Sequence, residues 1–164
     1  MSTPRLAVRT GIGYDSHRFA PGGPLVLGGV RMPSDVHLYG HSDGDAIAHA
    51  VTDAILGAAA LGDIGAMFSD TDDANAGRDS IEMLAQAVAR LHAAGWHVGQ
   101  VDVVVIAETP KIAPHRTAMC ERIALALGVS RVDVSIKGKT NEGLGFVGRG
   151  EGIACMATAT IVRE

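Results

Sequence analysis

Asp15 and His17 stand two residues apart at the exit of a short apolar run, and the segment His41-Ser42-Asp43-Gly44-Asp45 leads on to His49. In extended backbone alternate side chains leave the same face, so Asp15 and His17 can converge on one ion. One carboxylate and two imidazoles form the borderline ligand set of a zinc site. Three protein ligands would leave the fourth tetrahedral position open for a substrate oxygen, which is the pattern of a catalytic centre. Asp45 and Asp53 lie four residues to either side of His49, so on a helix the three share one stripe. A carboxylate there can accept the second ring N–H of the imidazole and fix its tautomer. A solvated helix face would carry the same Asp-His-Asp stripe.

The stretch 137–152 sets Glu142 among Gly138, Gly143, Gly145, Gly148, Gly150 and Gly152, with Lys139 and Arg149 for charge. Exposed backbone N–H groups and the Thr140 hydroxyl suit phosphates, and Glu142 suits a hard cation bridging them. Asp63-Ile64-Gly65 and Phe68-Ser69-Asp70-Thr71-Asp72 make an acidic, turn-rich segment. Its carboxylates fit the hydroxyls of a polyol or simply solubilise a loop, and composition does not choose between them. Two motifs are decoys. Gly11-Ile12-Gly13-Tyr14 lacks the third glycine and the helix start of a dinucleotide site. Gly138-Lys139-Thr140 ends like a P-loop, but Asp133 stands where the first glycine belongs and no helix opens afterwards.

These residues need elements to hold them. The pattern predicts a strand over 6–13 and another over 25–30, joined as a hairpin through Pro21-Gly22-Gly23-Pro24, with Asp15 and His17 at its mouth. Alanine-rich residues from Asp43 or Asp45 to Leu61 predict a helix whose acidic start suits the helix dipole. Asp79 or Ser80 caps a second helix running to about Ala94 and stopped by Gly95. Pro114 suits the first turn of a third, ending near Leu127-Gly128. Strands are expected at 101–107, 132–137 and 153–162, giving an α/β chain with no internal repeat.

The 164 residues are 47% hydrophobic, enough for a single domain whose core needs no disulfide. Fourteen basic residues against 18 acidic ones, without a basic run, argue against a nucleic-acid partner. Cys120 and Cys155 are far apart in apolar stretches and read as reduced, buried thiols of a cytoplasmic protein. The opening Met1-Ser2-Thr3-Pro4 is too short and polar for a signal or transit peptide, and no apolar run reaches membrane-span length.

Several ungapped blocks, GIGYDSHRF, HSDGDAIAHAVTDAILGAAALGDIG, FSDTD, VDVVVIAETPKIAPH and TNEGLGFVGRGEGIAC, resemble the 2-C-methyl-D-erythritol 2,4-cyclodiphosphate synthase family over nearly the whole chain. The resemblance implies a mixed β-sheet with helices on one face, assembling as a homotrimer with active sites between subunits. It implies zinc on Asp15, His17 and His49, and magnesium or manganese at Glu142. His41, Ser42 and Asp43 would approach the substrate's 2-phosphate, and Asp63, Ile64, Gly65, Phe68, Asp70 and Asp72 would form the methylerythritol pocket. Ala107, Pro110, Lys111 and Ile112 would hold cytidine, joined by Lys139 and Thr140. Catalysis is expected of His41, Thr140 and Glu142. Phe146 and Arg149 complete the implied substrate contacts, Arg149 pairing with Glu151 along a central cavity or, alternatively, as a plain surface ion pair. The chain departs from the family's Thr-Thr-Thr-Glu with Lys139-Thr140-Asn141-Glu142.

The implied reaction cyclises 4-diphosphocytidyl-2-C-methyl-D-erythritol 2-phosphate and expels CMP. Two rival classes share some of these features. A zinc-dependent phosphohydrolase would use the same ligands to activate water and release linear phosphates. A non-catalytic oligomeric binding module would keep the apolar strands and tolerate loss of the ligands.

Overall fold

The structure, a computed structural model, describes residues 7–69 and 71–163. The expectations that fall on residues 1–6 and on Asp70 lie outside these residues. Strands β1 (Ala7–Pro21), β4 (Val36–Leu38), β5 (His97–Ile106), β6 (Val134–Lys139) and β7 (Gly152–Arg163) form one five-stranded mixed sheet in the order β4-β1-β7-β5-β6. β7 runs antiparallel to both β1 and β5, while β5 and β6 are parallel. The α-helices α1 (Ala46–Ala58), α3 (Ser80–Ala93) and α4 (Arg116–Leu127) cover one face, and the single turns α2 (Ile64–Met67) and α5 (Gly145–Gly148) sit in the loops. The expected α/β architecture is present. Among the described residues no helix is long and apolar enough to cross a membrane.

The core lies between this sheet and α1. Ile47, Val51, Ile55, Val103, Val105, Ile153 and Cys155 are all fully buried there. Gly11 and Gly13 explain the close approach: a Cβ on Gly13 would stand 1.9 Å from the Ala50 carbonyl oxygen, and one on Gly11 would stand 2.1 Å from that of Ala54. The glycine pair therefore seats α1 on β1. Opposite residues of β1 face the other way, leaving Val8, Ile12 and Tyr14 exposed beside Met156 on an apolar sheet face.

The predicted hairpin is corrected. β1 continues to Pro21 and pairs there with β4, whereas β2 (Leu25–Leu27) turns back on β3 (Val30–Met32) in a separate two-stranded sheet. The tight turn is Gly28-Gly29, both at positive φ (59° and 72°), the geometry a two-residue hairpin favours. Pro21-Gly22-Gly23-Pro24 is a longer corner between sheets. Asp15 and His17 consequently lie inside a long strand, opposite Cys155 and Ile153 of β7, and not at a hairpin mouth.

The predicted helices match closely. Asp45 caps α1, Asp79 caps α3, and Gly128 ends α4 in the left-handed conformation (φ 69°). Pro114 falls in a 3-10 turn just ahead of α4.

Candidate metal centre and substrate clefts

Side-chain alternation along β1 turns Asp15 and His17 toward the helical layer, where α1 delivers His49 from its first turn. Asp15 Oδ2 lies 2.8 Å from His17 Nε2 and 2.9 Å from His49 Nδ1, and the two ring nitrogens are 3.2 Å apart. Three donors thus converge on one point, the only group of three or more metal-binding side chains so placed among the described residues. Bonds of about 2.0–2.1 Å in a tetrahedral shell separate ligands by about 3.3 Å, so a cation fits after a widening of a few tenths of an ångström.

The outer hydrogen bonds set the tautomers. The Tyr39 carbonyl can only accept, so His17 Nδ1, 2.8 Å away, carries the proton and Nε2 presents its lone pair inward. Ser80 donates its hydroxyl proton to Asp43 and so accepts from His49 Nε2 at 2.9 Å; Ser42 Oγ lies 3.0 Å from the same nitrogen. His49 Nδ1 is therefore the inward donor. Burial would raise the Asp15 carboxyl pKa, but with no cation bound an imidazole that is protonated on its inward nitrogen as well donates to Asp15, and these hydrogen bonds and charges of His17 and His49 outweigh burial and hold it at about 2. Burial would likewise lower the His17 pKa, yet the Asp15 carboxylate and the Tyr39 carbonyl raise it above its usual value. Cys155, beside Asp15, is pushed well up by burial and by the Asp45 and Asp15 charges, and stays a neutral core thiol.

The roles expected of Asp45 and Asp53 are corrected. Asp45 accepts the N–H groups of Ile47 and Ala48 at the start of α1 and those of Gly28 and Gly29 in the hairpin turn. A fully buried carboxylate needs such donors, and these direct it away from His49. Asp53 accepts the Ile64 N–H at 2.7 Å, pinning α2 to α1. The group that supports His49 is Ser80, 1% exposed, together with Ser42 and Asp43. Sequence reasoning reached Ser80 only as a possible helix cap. Asp79 takes that duty, freeing the Ser80 hydroxyl for the site.

His17 and His49 floor a cleft of about 360 Å³ also lined by His41, Ser42, Ile64, Gly65, Phe68, Asn75 and Met83. Asp63 caps α2 and Asp72 caps the turn Asp73–Asn75, while the Asp72 carbonyl meets His41 Nε2 at 3.2 Å. A second cleft, about 160 Å³, is lined by Ala107, Pro110, Lys111, Ile112, Ala113, Arg116, Gly138, Lys139 and Thr140. Strand register places Asp15, Cys155, Val105 and Gly138 on one row. Three strand spacings, about 14 Å, therefore separate the two clefts, with buried Cys155 and Val105 between them.

Asp63 and Asp72, whose carboxylates serve as those caps, line neither cleft, and neither do Phe146, Arg149 and Glu142. Phe146 is 39% exposed on α5, and Arg149 pairs with Glu151 at the surface, Nε to Oε1 2.6 Å. Glu142 is exposed at the loop tip and accepts the Thr140 hydroxyl at 3.1 Å. The expected phosphate cradle of loop amides is also corrected in part: the N–H groups of Asn141 and Gly143 point to the Glu108 carboxylate, at 3.0 and 3.4 Å. Asn141 spends its side chain on the Leu144 carbonyl, at 2.8 Å.

The model of the YgbB family matches residues 8–162. The chain belongs to the YgbB family. A YgbB relative from Gemmatimonas aurantiaca, 2-C-methyl-D-erythritol 2,4-cyclodiphosphate synthase, is 66% identical over 96% of this chain and 95% of its own. The protein of that name from Erwinia tasmaniensis is 51% identical over 95% and 99%. Among solved structures, Plasmodium falciparum IspF in complex with CDP superposes with a TM-score of 0.83 at 34% identity, covering 96% of this chain and 97% of that one. The bifunctional IspDF of Campylobacter jejuni gives a TM-score of 0.94 at 39% identity over 98% of this chain but 44% of its own. The YgbB match thus spans the candidate metal centre and both clefts.

Proposed function

We propose that the protein cyclises 4-diphosphocytidyl-2-C-methyl-D-erythritol 2-phosphate to 2-C-methyl-D-erythritol 2,4-cyclodiphosphate, releasing CMP, within non-mevalonate isoprenoid biosynthesis. It is a lyase. The observation that carries this reading is the convergence of Asp15, His17 and His49 on a cleft floor, in a chain 66% identical to a synthase of that name. An oxygen of the 2-phosphate bonds to the β-phosphorus, and the bond from that phosphorus to the α/β bridging oxygen breaks. The bridging oxygen leaves with its electron pair on CMP.

The nucleophile is a phosphate monoester, whose second pKa is about 6, so it is largely dianionic near neutral pH. No strong general base is needed. Positioning and relief of like-charge repulsion do most of the work. Zinc is the proposed ion at Asp15, His17 and His49, and magnesium or manganese at Glu142; such cations withdraw charge from phosphoryl oxygens when bound. The remaining tasks fall to the chain. Tyr39, Ser42 and Ser80 keep the imidazole lone pairs aimed inward. His41 and Ser42 receive the 2-phosphate, while Ile64, Gly65 and Phe68 wall the carbon skeleton against water. Ala107, Pro110, Lys111 and Ile112 take the cytidine, with Lys139 and Thr140 beside its phosphates. That a relative's structure holds CDP supports a nucleotide cleft.

The active form is proposed to be a cytoplasmic homotrimer without membrane or nucleic-acid partners. Two observations support the assembly. The sheet face away from the helices exposes Ile12 (64%) and Tyr14 (54%), and one protomer keeps its two clefts three strands apart. A neighbour's nucleotide cleft laid against the metal cleft would complete the site. The relatives named above give the phosphohydrolase reading no support. Chromatography of the products tests the proposal: CMP and an equimolar cyclic diphosphate are expected, whereas linear phosphates would overturn it.

A further inference from the structure

Glu142 stands on an awkward piece of backbone. Its φ is +52°, in the left-handed region that favours glycine, and Gly143 follows at +75°. Something must hold that turn. Three successive amides point to side-chain oxygens: Asn141 N–H to Glu108 Oε1 at 3.0 Å, Glu142 N–H to Thr140 Oγ1 at 3.4 Å, and Gly143 N–H to Glu108 Oε1 at 3.4 Å. Behind them Gly148 packs so tightly that a Cβ there would stand 2.0 Å from the Gly143 carbonyl carbon.

Glu108 comes from another part of the chain, the loop between β5 and α4 that also carries Pro110 and Lys111. Lys111 Nζ donates to the Glu108 carbonyl at 3.3 Å, closing that loop on itself. One carboxylate oxygen therefore joins the nucleotide cleft to the loop that presents Glu142. A nest of backbone N–H groups of this kind is an anion site, and here the anion is built in.

We propose that Glu108 is a positioning residue for Glu142. By receiving the amides on either side of it, Glu108 fixes the left-handed turn and with it the direction of the Glu142 carboxylate relative to the nucleotide cleft. Glu108 works as an acceptor, so an amide oxygen in the same place does the same job. The proposal rests on the reading of Glu142 as the residue that holds the second divalent ion.

The test compares Glu108→Ala, Glu108→Gln and Glu142→Gln in the full-length protein. Three quantities are read: amide exchange at Asn141 and Gly143 by NMR without substrate, the magnesium concentration that half-saturates turnover, and bound zinc. Glu108→Ala is expected to speed exchange at both amides and to raise the half-saturating magnesium about 10-fold, the scale of one lost hydrogen bond to a charged group. Glu108→Gln should stay within about threefold on both readouts, and zinc content should not move in either variant. Unchanged exchange and magnesium dependence in Glu108→Ala would overturn the proposal. So would a Glu108→Gln protein as impaired as Glu108→Ala, because the carboxylate would then be acting on the ion by its charge. Should Glu142→Gln turn over normally while Glu108→Ala still loses amide protection, the clamp stands and the ion assignment of Glu142 fails.

Discussion

Replacing Ser80 with Ala isolates the support behind the candidate metal centre. The Ser80 hydroxyl accepts from His49 Nε2 at 2.9 Å and donates to Asp43, in a position only 1% exposed. The substitution should not unfold the protein. Asp43 keeps the backbone N–H of residue 80 at 3.1 Å and that of Asp45 at 3.1 Å, so its carboxylate is not orphaned. What is lost is one of two oxygens that hold the His49 ring, the other being Ser42 Oγ at 3.0 Å. Removing an outer partner of a ligating histidine typically weakens metal binding 10- to 100-fold. With Ser42 remaining, the lower end applies, about 10-fold or about 1.4 kcal/mol. The Ser42→Ala/Ser80→Ala double variant should approach 100-fold, and a loss well beyond the sum of the singles would show that each serine substitutes for the other. Competition against a chromophoric zinc chelator measures the affinity, and circular dichroism checks the fold. A Ser80→Ala protein that holds zinc within twofold of the parent would refute the argument that this hydroxyl orients His49.

Other consequences concern the ligands, pH and packing. His49→Ala should give a folded protein with much weaker zinc binding and little turnover; full activity from a zinc-free His49→Ala protein, checked by metal analysis, would remove the metal from the account. Zinc uptake should strengthen as pH rises through the raised His17 pKa and then level off, because the imidazole must shed its proton to ligate, whereas Asp15, with a pKa of about 2, is already ionised. Chelator competition across pH 5–9, a range of about four units around the usual histidine value, would contradict this if affinity were flat. Gly13→Ala forces a Cβ to within 1.9 Å of the Ala50 carbonyl and should cost more than about 3 kcal/mol by denaturant melts. By contrast Gly57→Ala, whose Cβ meets nothing nearer than 3.9 Å, should stabilise α1 by about 0.5–1 kcal/mol.

The sequence made the candidate metal ligands legible because two separate periodicities happened to carry them. Asp15 and His17 follow the strand repeat, and His49 sits in an alanine-rich helix with an acidic cap, so both elements announce themselves locally. Ser80 was not legible as a site residue. Its contact with His49 comes from the packing of α3 beside α1, and no local pattern encodes that distance. Asp45 misled for a related reason: four-residue spacing from His49 is real, but a carboxylate at a helix start finds backbone N–H groups first. The hairpin was misplaced because Pro21-Gly22-Gly23-Pro24 and Gly28-Gly29 are both strong turn signals, and only pairing with β7 reveals that β1 runs on through Asp15 and His17. Glu108 was hidden altogether, since its partners are backbone amides more than thirty positions downstream, which side-chain patterns do not register.

Phosphorus NMR of the purified protein with 4-diphosphocytidyl-2-C-methyl-D-erythritol 2-phosphate, before and after removal of zinc by a chelator, tests the central claim most directly. The signals of a cyclic diphosphate together with an equal amount of CMP are expected, abolished by chelation and restored by added zinc. Linear phosphate products, or cyclisation that persists without the metal, would contradict it.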